Sequence, residues 1–250
     1  MSAEAPGQAT GALFVSIVIP FHNEAENLEL LMPALGEACA RCAPHRIEVL
    51  MVDDLSTDDS LARARRHAAA DARFRVLALP QRGGQTGAFR LAFAEARGDY
   101  IIRMDADLQD DPADLPKFME KIGQGYDLIM GVRSERKHGW TLRVLTAIYD
   151  TVVGRLFATE LHSNSGSFIG FRARFLKDIP FRHNDHRYLP LIAIRRGANR
   201  RCNVFLAHRQ RAFGRTKYST LKKALFGGFE VVRFYIRYST GHYDMPAGRE

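Results

Sequence analysis

Few cysteines and no membrane-length apolar run mark this chain. No hydrophobic stretch approaches the roughly 18 to 20 residues that a bilayer-crossing helix needs, so a soluble or peripheral protein is expected. Residues 1–11 are rich in Ala, Gly, Ser and Thr but carry neither a positive n-region nor an apolar h-region, and they read as a loose tail, not a signal peptide. Three cysteines, an odd number, argue against a disulfide framework and fit a reducing compartment. Cys39 and Cys42 form a Cys-x-x-Cys, but no second pair follows; two cysteines on one helix is a better reading than zinc or redox chemistry. A Gly-x-Gly-x-x-Gly after the first strand and a Walker-type Gly-Lys-Ser/Thr are both missing, so neither a dinucleotide fingerprint nor a P-loop is on offer.

What is present is an ordinary globular composition, 46% hydrophobic and 26% charged, with enough chain for one good-sized core. The net charge of +8 predicts an anionic partner: nucleic acid, a phosphate-bearing substrate or an acidic membrane surface. Apolar runs at Val15–Ile19, Ile47–Val52, Phe74–Ala78, Tyr100–Met104 and Asp127–Gly131 read as strands. Between them lie helical patterns at Glu24–Ala40, from a capping-box-like Ser56–Asp59 to Ala70, at Thr86–Ala96, and from Pro112 to about Gly123–Gly125. Such alternation predicts an α/β domain with a mostly parallel sheet covered on both faces. The second half is less regular, with a helix at Trp140–Leu156, a strand at Ser167–Arg172, a helix at Leu189–Arg195, and a strand from Val204 into a basic loop. Leu221–Tyr238 mixes aromatics with Lys222, Lys223, Arg233 and Arg237. That fits an amphipathic helix on a membrane surface and, equally, a helix packed on the core with a solvated basic face.

Open α/β sheets bind ligands beyond the carboxyl ends of their strands. There the sequence places Pro20–Glu24, Asp53–Ser56, Gln81–Gln85, Asp105–Gln109 and Val132–Arg133. Any one cluster could be helix capping; five on one edge point to a site. Asp105 and Asp107 stand one residue apart at a strand end, where an extended backbone aims alternate side chains the same way. Two carboxylates held that close repel unless a cation lies between them, and Mg²⁺ or Mn²⁺ suits oxygen ligands that share a metal with phosphates.

In this order the motifs resemble the family 2 glycosyltransferases of the GT-A fold, and within them the polyprenyl-phosphate (dolichol-phosphate mannosyltransferase-like) group. The resemblance runs from about Val15 to Leu221. It is carried by Val18–Glu24, Val52–Ser56, Met104–Asp110, Gly131–Arg133, Ser165–Phe168 and Gly214–Lys217. It implies a Rossmann-like GT-A domain over residues 12–220, after the tail at 1–11 and before a C-terminal amphipathic helix and tail at 221–250. It further implies that Pro20, His22, Glu24, Asp53, Asp54 and Ala106 line the nucleotide site. By the same resemblance Asp105, Asp107 and Gln109 hold Mg²⁺ or Mn²⁺ against the donor diphosphate, and Arg133, Arg211 and Lys217 clamp phosphates. The implied donor is a UDP- or GDP-sugar. The implied acceptor is a polyprenyl phosphate, reached by a protein peripheral to the cytoplasmic face of the membrane, since the chain reaches Glu250 without the transmembrane helices that related enzymes often carry.

A lipid-phosphate acceptor needs no strong base; a hydroxyl acceptor would need one, and His183, Asp185 or His186 are the candidates, with a surface turn as the plain alternative. The family pattern commonly has Tyr at position 22, Gly at 55 and Asp at 164, where this chain has His22, Leu55 and Asn164. Leu55 tolerates a positive φ poorly, so the turn after Asp54 is expected to differ. A polysaccharide synthase is disfavoured by the missing Gln-x-x-Arg-Trp. A nucleic-acid binder is disfavoured because no stacking platform of interleaved aromatic and basic residues is recognisable and the acidic clusters would repel phosphates. A catalytically silent sugar-nucleotide binder is the remaining rival.

Overall fold

The computed structural model of the chain describes residues 11–133, 151, 154–157, 165–206 and 220–246. Seven strands, β1 (Phe14–Phe21), β2 (Arg46–Asp53), β3 (Phe74–Ala78), β4 (Tyr100–Arg103), β5 (Leu128–Arg133), β6 (Ser165–Arg172) and β7 (Arg201–Leu206), form one sheet in the order β3-β2-β1-β4-β6-β5-β7. All neighbours are parallel except those of β6, which runs against both β4 and β5. The expected mostly parallel sheet is present, with one reversed strand that a pattern of short apolar runs does not reveal.

β1 and β2 are near-continuous runs of Val, Ile, Leu and Met because both faces of the sheet are covered. The period of two divides each strand between two cores. Val15, Ile17 and Ile19 join Val49 and Met51 on one face, beneath α1 (Ala25–Ala40), α2 (Ser60–Ala70) and α4 (Leu115–Gly123), which contribute Leu31, Ala64 and Phe118. Val18, Leu50 and Val52 point the other way, toward α3 (Gly84–Glu95), α5 (Leu189–Arg195) and α6 (Thr220–Ser239), which contribute Phe89, Ile192 and Phe234. With both faces filled, polar groups are left to the strand ends.

α6 packs on the core through one face, as the second of the two readings of its sequence expects. Val231 and Phe234 are buried, and Phe234 stacks on Tyr188 at 4.1 Å between ring centroids. The outer face is not simply basic: Phe229, Val232 and Ile236 are exposed on it. The helix thus shares the domain's core, although the boundary drawn at residue 220 coincides with its start. No helix among the described residues is long and apolar enough to cross a membrane. Cys39 and Cys42 are buried on and just after α1; burial pushes the Cys39 thiol up to about 12, so it is inert at neutral pH.

Candidate active site

The loops that leave β1, β2 and β4 converge at the carboxyl edge, and each contains a non-glycine residue in the left-handed region: Asn23 (φ 55°), Leu55 (φ 57°) and Leu108 (φ 61°). Leu55 therefore keeps the positive-φ backbone that its side chain disfavours. The turn is held from beneath, because both carboxylate oxygens of Asp53 accept from the Ser56 amide (3.0 and 3.3 Å). A residue with a β-carbon costs about 1–2 kcal/mol there, and glycine's greater unfolded-state freedom offsets about 0.5–1 kcal/mol of that. Leu55→Gly is thus expected to stabilise the protein by about 0.5–1 kcal/mol, read as a rise in urea midpoint; a lower midpoint would show that the exposed leucyl side chain makes contacts worth more than the strain.

Of the expected capping box only Asp58 reaches the helix start, its Oδ1 accepting from the Ser60 amide at 3.0 Å. α2 begins at Ser60, and Asp59 makes no side-chain cap bond. The hydroxyls of Ser56 and Ser60 accept from the amides of Asn23 (3.0 Å) and Glu24 (2.8 Å), and Asn23 and Thr57 share three further bonds. These groups tie the loop after β1 to the loop after β2.

Between the loops lies a cleft of about 270 Å³ lined by Pro20, Phe21, His22, Glu24, Asp54, Arg82, Gly84, Gln85, Asp105, Ala106 and Asp107. Pro20, His22, Glu24, Asp54, Asp105, Ala106 and Asp107 are thereby brought together. Asp54 is already engaged: Oδ1 accepts from the Gly83 and Gly84 amides (2.7 and 3.0 Å), and Oδ2 pairs with Arg82 Nε at 3.2 Å. Gly84 sits at φ 61°, which lets both amides face that carboxylate. The Arg82 guanidinium also donates to His22 Nε2, so Asp54, Arg82 and His22 form one wall. Sequence reasoning noted the Gln81–Gln85 loop at this edge but did not single out Arg82, because only the folded loop shows which of its side chains turns inward.

Asp105 and Asp107 form the floor. Asp105 Oδ1 is shut off from solvent and has no hydrogen-bond partner among the described residues. Its nearest cation is Arg103 Nη2 at 4.0 Å, a long ion pair. Burial, then the charges of Asp107 and Asp110, push the Asp105 carboxyl above its ordinary range against the pull of Arg103 and a hydrogen bond from Ser167. An orphaned, electrostatically crowded carboxylate beside a second one fits a divalent cation. Among the described residues no third His, Cys, Asp or Glu converges with them as a metal group; two carboxylates leave coordination positions for phosphate oxygens and water, as Mg²⁺ or Mn²⁺ prefers and a calcium cage does not. Gln109 is not on the cleft wall; its amide donates to Asp107 Oδ1 at 3.1 Å.

Other expected site residues fall elsewhere. Asp53 is a buried turn anchor and does not line the cleft. Asp185 is not in a surface turn. Its side chain is 0% exposed, with Arg237 Nη2 at 2.8 Å on one oxygen and Tyr243 Oη (2.8 Å) and the Arg182 amide (2.7 Å) on the other. His186 is buried as well; its Nδ1 shares a hydrogen bond with Thr86 Oγ1 (2.8 Å), and its carbonyl accepts from Arg103 Nη1 (2.9 Å). Only His183 of that cluster is exposed. Arg211, Lys217 and Asn164 lie outside the described residues, as does the side chain of Arg133.

Burial, then the charges of Arg103 and Arg187, lower the His186 pKa from 6.5 to about 3. A base depressed in the folded state contributes stability that is fully present above pH 6.5 and is lost as pH falls toward 3. Urea midpoints at pH 7 and pH 5 should therefore fall less in His186→Gln than in the wild type, by on the order of 1 kcal/mol. An equal fall in both proteins would assign the acid sensitivity to other groups.

Residues 16–180 match the family model described as "Glycosyl transferase family 2". The chain belongs to glycosyl transferase family 2. It is a glycosyltransferase, and the GT-A architecture expected from the motifs is the one observed. It is 30% identical over 239 residues to the dodecaprenyl-phosphate galacturonate synthase of Rhizobium johnstonii, covering 93% of this chain and 70% of that one. It is 30% identical over 211 residues to the undecaprenyl-phosphate 4-deoxy-4-formamido-L-arabinose transferase of Edwardsiella ictaluri, covering 84% of this chain and 64% of that one. The chain thus spans about two thirds of the length of these relatives. Among solved structures it superposes on glucosyl-3-phosphoglycerate synthase of Mycobacterium tuberculosis, crystallised with Mn²⁺ and UDP, at a TM-score of 0.64 and 19% identity, over 94% of this chain and 82% of that one. The mannosyl-3-phosphoglycerate synthase of Rubrobacter xylanophilus matches at a TM-score of 0.65 and 18% identity, over 91% and 75%. At such identities the structures establish the shared fold.

Proposed function

We propose that this family 2 enzyme is an inverting, metal-dependent transferase that moves a sugar from a UDP- or GDP-sugar to a polyprenyl phosphate, working peripherally at the cytoplasmic face of a membrane. The observation that carries the reading is the Asp105–Asp107 pair on the cleft floor, with Asp105 Oδ1 unpartnered. The acceptor class is supported by the relatives, which are named for dodecaprenyl and undecaprenyl phosphate.

Asp105 and Asp107 would hold Mg²⁺ or Mn²⁺, which would neutralise charge on the departing nucleoside diphosphate, with Gln109 steadying Asp107 through its backbone amide. Pro20, His22, Glu24 and the Asp54–Arg82 pair orient the nucleotide. Arg133, Arg211 and Lys217 grip phosphates, Arg through a planar fork and Lys as a point charge. The acceptor phosphate oxygen attacks the anomeric carbon from the side opposite the diphosphate; a carbon–oxygen bond forms there as the sugar–diphosphate bond breaks, and the configuration inverts. That oxygen is ionised at neutral pH, so the chemistry rests on positioning and electrostatics, not on a base. A hydroxyl acceptor would need a base; His186 is buried with a pKa near 3 and Asp185 has both oxygens engaged, which leaves the exposed His183 as the cluster's one candidate. The exposed apolar face of α6 and the net charge of +8 support binding at an anionic membrane surface.

The test begins with melting temperatures in UDP, GDP, CDP and dTDP, each with and without Mn²⁺. A ligand at a hundredfold its Kd adds about 2.7 kcal/mol, or roughly 5–11 °C for a domain of this size. One diphosphate should stabilise only with metal, and its sugar should then be transferred to undecaprenyl phosphate. Glycosylation of a hydroxyl acceptor with no product on any polyprenyl phosphate would overturn the acceptor assignment.

A further inference from the structure

We infer that Arg103 is a built-in counter-charge that holds down the affinity of the Asp105–Asp107 floor for a divalent cation, so that the metal stays only while a diphosphate shares it. This rests on the metal reading of that floor and adds to it the residue that sets how tightly the metal is held. Arg103 closes β4, a strand covered on both faces, and Ile101, two residues before it, belongs to the core beside Phe89 of α3. Alternation puts Arg103 on that same face, where it is 8% exposed and an apolar side chain is the ordinary choice. Its guanidinium lies 4.9 Å over the Phe89 ring, and Nη1 donates to the His186 carbonyl at 2.9 Å. Nε is shut off from solvent and has no hydrogen-bond partner among the described residues.

Arg196 shows what a structural buried arginine does in this fold. Its nitrogens donate to the carbonyls of Tyr243, Phe175, Lys177 and Asp178 at 2.5–3.3 Å. Arg103 makes one such bond and leaves Nε unused, so bracing does not account for a charge placed in the core. What it has instead is a carboxylate of the cleft floor. Nη2 lies 4.0 Å from Asp105 Oδ1, the oxygen that likewise has no hydrogen-bond partner. That separation is too long for a hydrogen bond, yet two charges so close attract strongly where little water screens them. The pair therefore interacts through charge alone, and Asp105 Oδ1 keeps its lone pairs for another ligand. A cation entering beside Asp105 meets two carboxylates and also a fixed guanidinium that repels it. At an effective dielectric constant of about 20, a nearby unit charge shifts the binding of a dication by more than tenfold. Diphosphate oxygens supply the negative charge that Arg103 cancels, which ties occupancy of the metal to the presence of donor or product.

The test is the binding of Mn²⁺ without nucleotide, followed by loss of the free ion's electron paramagnetic resonance signal. Arg103→Gln keeps a donor for the His186 carbonyl and removes the charge, and it is expected to bind Mn²⁺ about tenfold or more tightly than the wild type. Arg103→Lys keeps the charge and should bind it as the wild type does. The wild type itself should bind Mn²⁺ about tenfold or more tightly with its nucleoside diphosphate than without. A lower melting temperature in Arg103→Gln with unchanged Mn²⁺ affinity would mark a structural brace and overturn the proposal. Equal tightening in Arg103→Gln and Arg103→Lys would do the same, since charge would not be its cause. Should Arg103→Gln not fold, Arg103→Met takes its place, and the wild type still decides: Mn²⁺ held as tightly without nucleotide as with it overturns the proposal. Failure of the metal reading looks different. In that case the wild type binds no Mn²⁺ with UDP, GDP, CDP or dTDP, and the proposal falls with it; an Arg103→Gln equal to a wild type that does bind Mn²⁺ with nucleotide removes the proposal alone.

Discussion

Asp107→Asn is expected to reduce sugar transfer by about a thousandfold or more and to abolish the Mn²⁺-dependent part of the nucleotide melting shift. The carboxylate faces the cleft, and its loss removes half of the charge available to hold a cation where the diphosphate leaves. Transfer assays with saturating donor, beside melting curves with and without Mn²⁺, check both halves. Full activity in the variant would remove the metal reading altogether. Asp105→Asn offers a sharper companion. Its carboxylate has an orphaned oxygen and is crowded by Asp107 and Asp110, against which stand only a distant guanidinium and a Ser167 hydrogen bond. The neutral amide should therefore raise the melting temperature of the metal-free protein while transfer collapses. A residue that costs stability in the empty protein and is required for turnover is one whose charge is meant for a ligand. Destabilisation by Asp105→Asn would show that the Arg103 contact outweighs the crowding.

The largest expected stability effect lies at Asp185. Asp185→Ala should cost about 3–5 kcal/mol, because it leaves the Arg237 guanidinium, the Tyr243 hydroxyl and the Arg182 amide without their buried acceptor. For a domain of this size that is a fall of roughly 6–20 °C in melting temperature. These bonds join the 182–188 segment to the end of α6, so α6 should loosen first, visible as faster amide exchange in residues 231–243 than in β1 and β2. A loss below about 1 kcal/mol, the scale of a single exposed pair, would show that water replaces the carboxylate and that the network is not closed.

The strand runs, the helices between them and the polar clusters at one edge were all legible along the chain. Each is a local pattern, set by side-chain period and turn chemistry within about ten residues. The Asp105-x-Asp107 spacing belongs with them, since an extended backbone alone brings two such side chains to one side. The occupation of each carboxylate was not legible. Asp53 and Asp54 are neighbours in sequence, yet one anchors a turn three residues on while the other binds the amides of a loop 29 and 30 residues away. Asp185 looked like a surface acid and meets its partner 52 residues further along, on a helix.

By itself the sequence determined the two-sided core, the α/β alternation, the acidic pair and the family to which they belong, because hydrophobic period and short motifs act over one or two turns of chain. The tertiary structure alone decided that β6 is reversed, that Arg82 turns into the cleft, that Asp185 and His186 are buried and that α6 leaves an apolar stripe outside. Those outcomes depend on which loops the sheet order brings side by side, and a buried charge or donor takes whichever partner that order places within hydrogen-bond reach, because leaving it unpaired costs several kcal/mol.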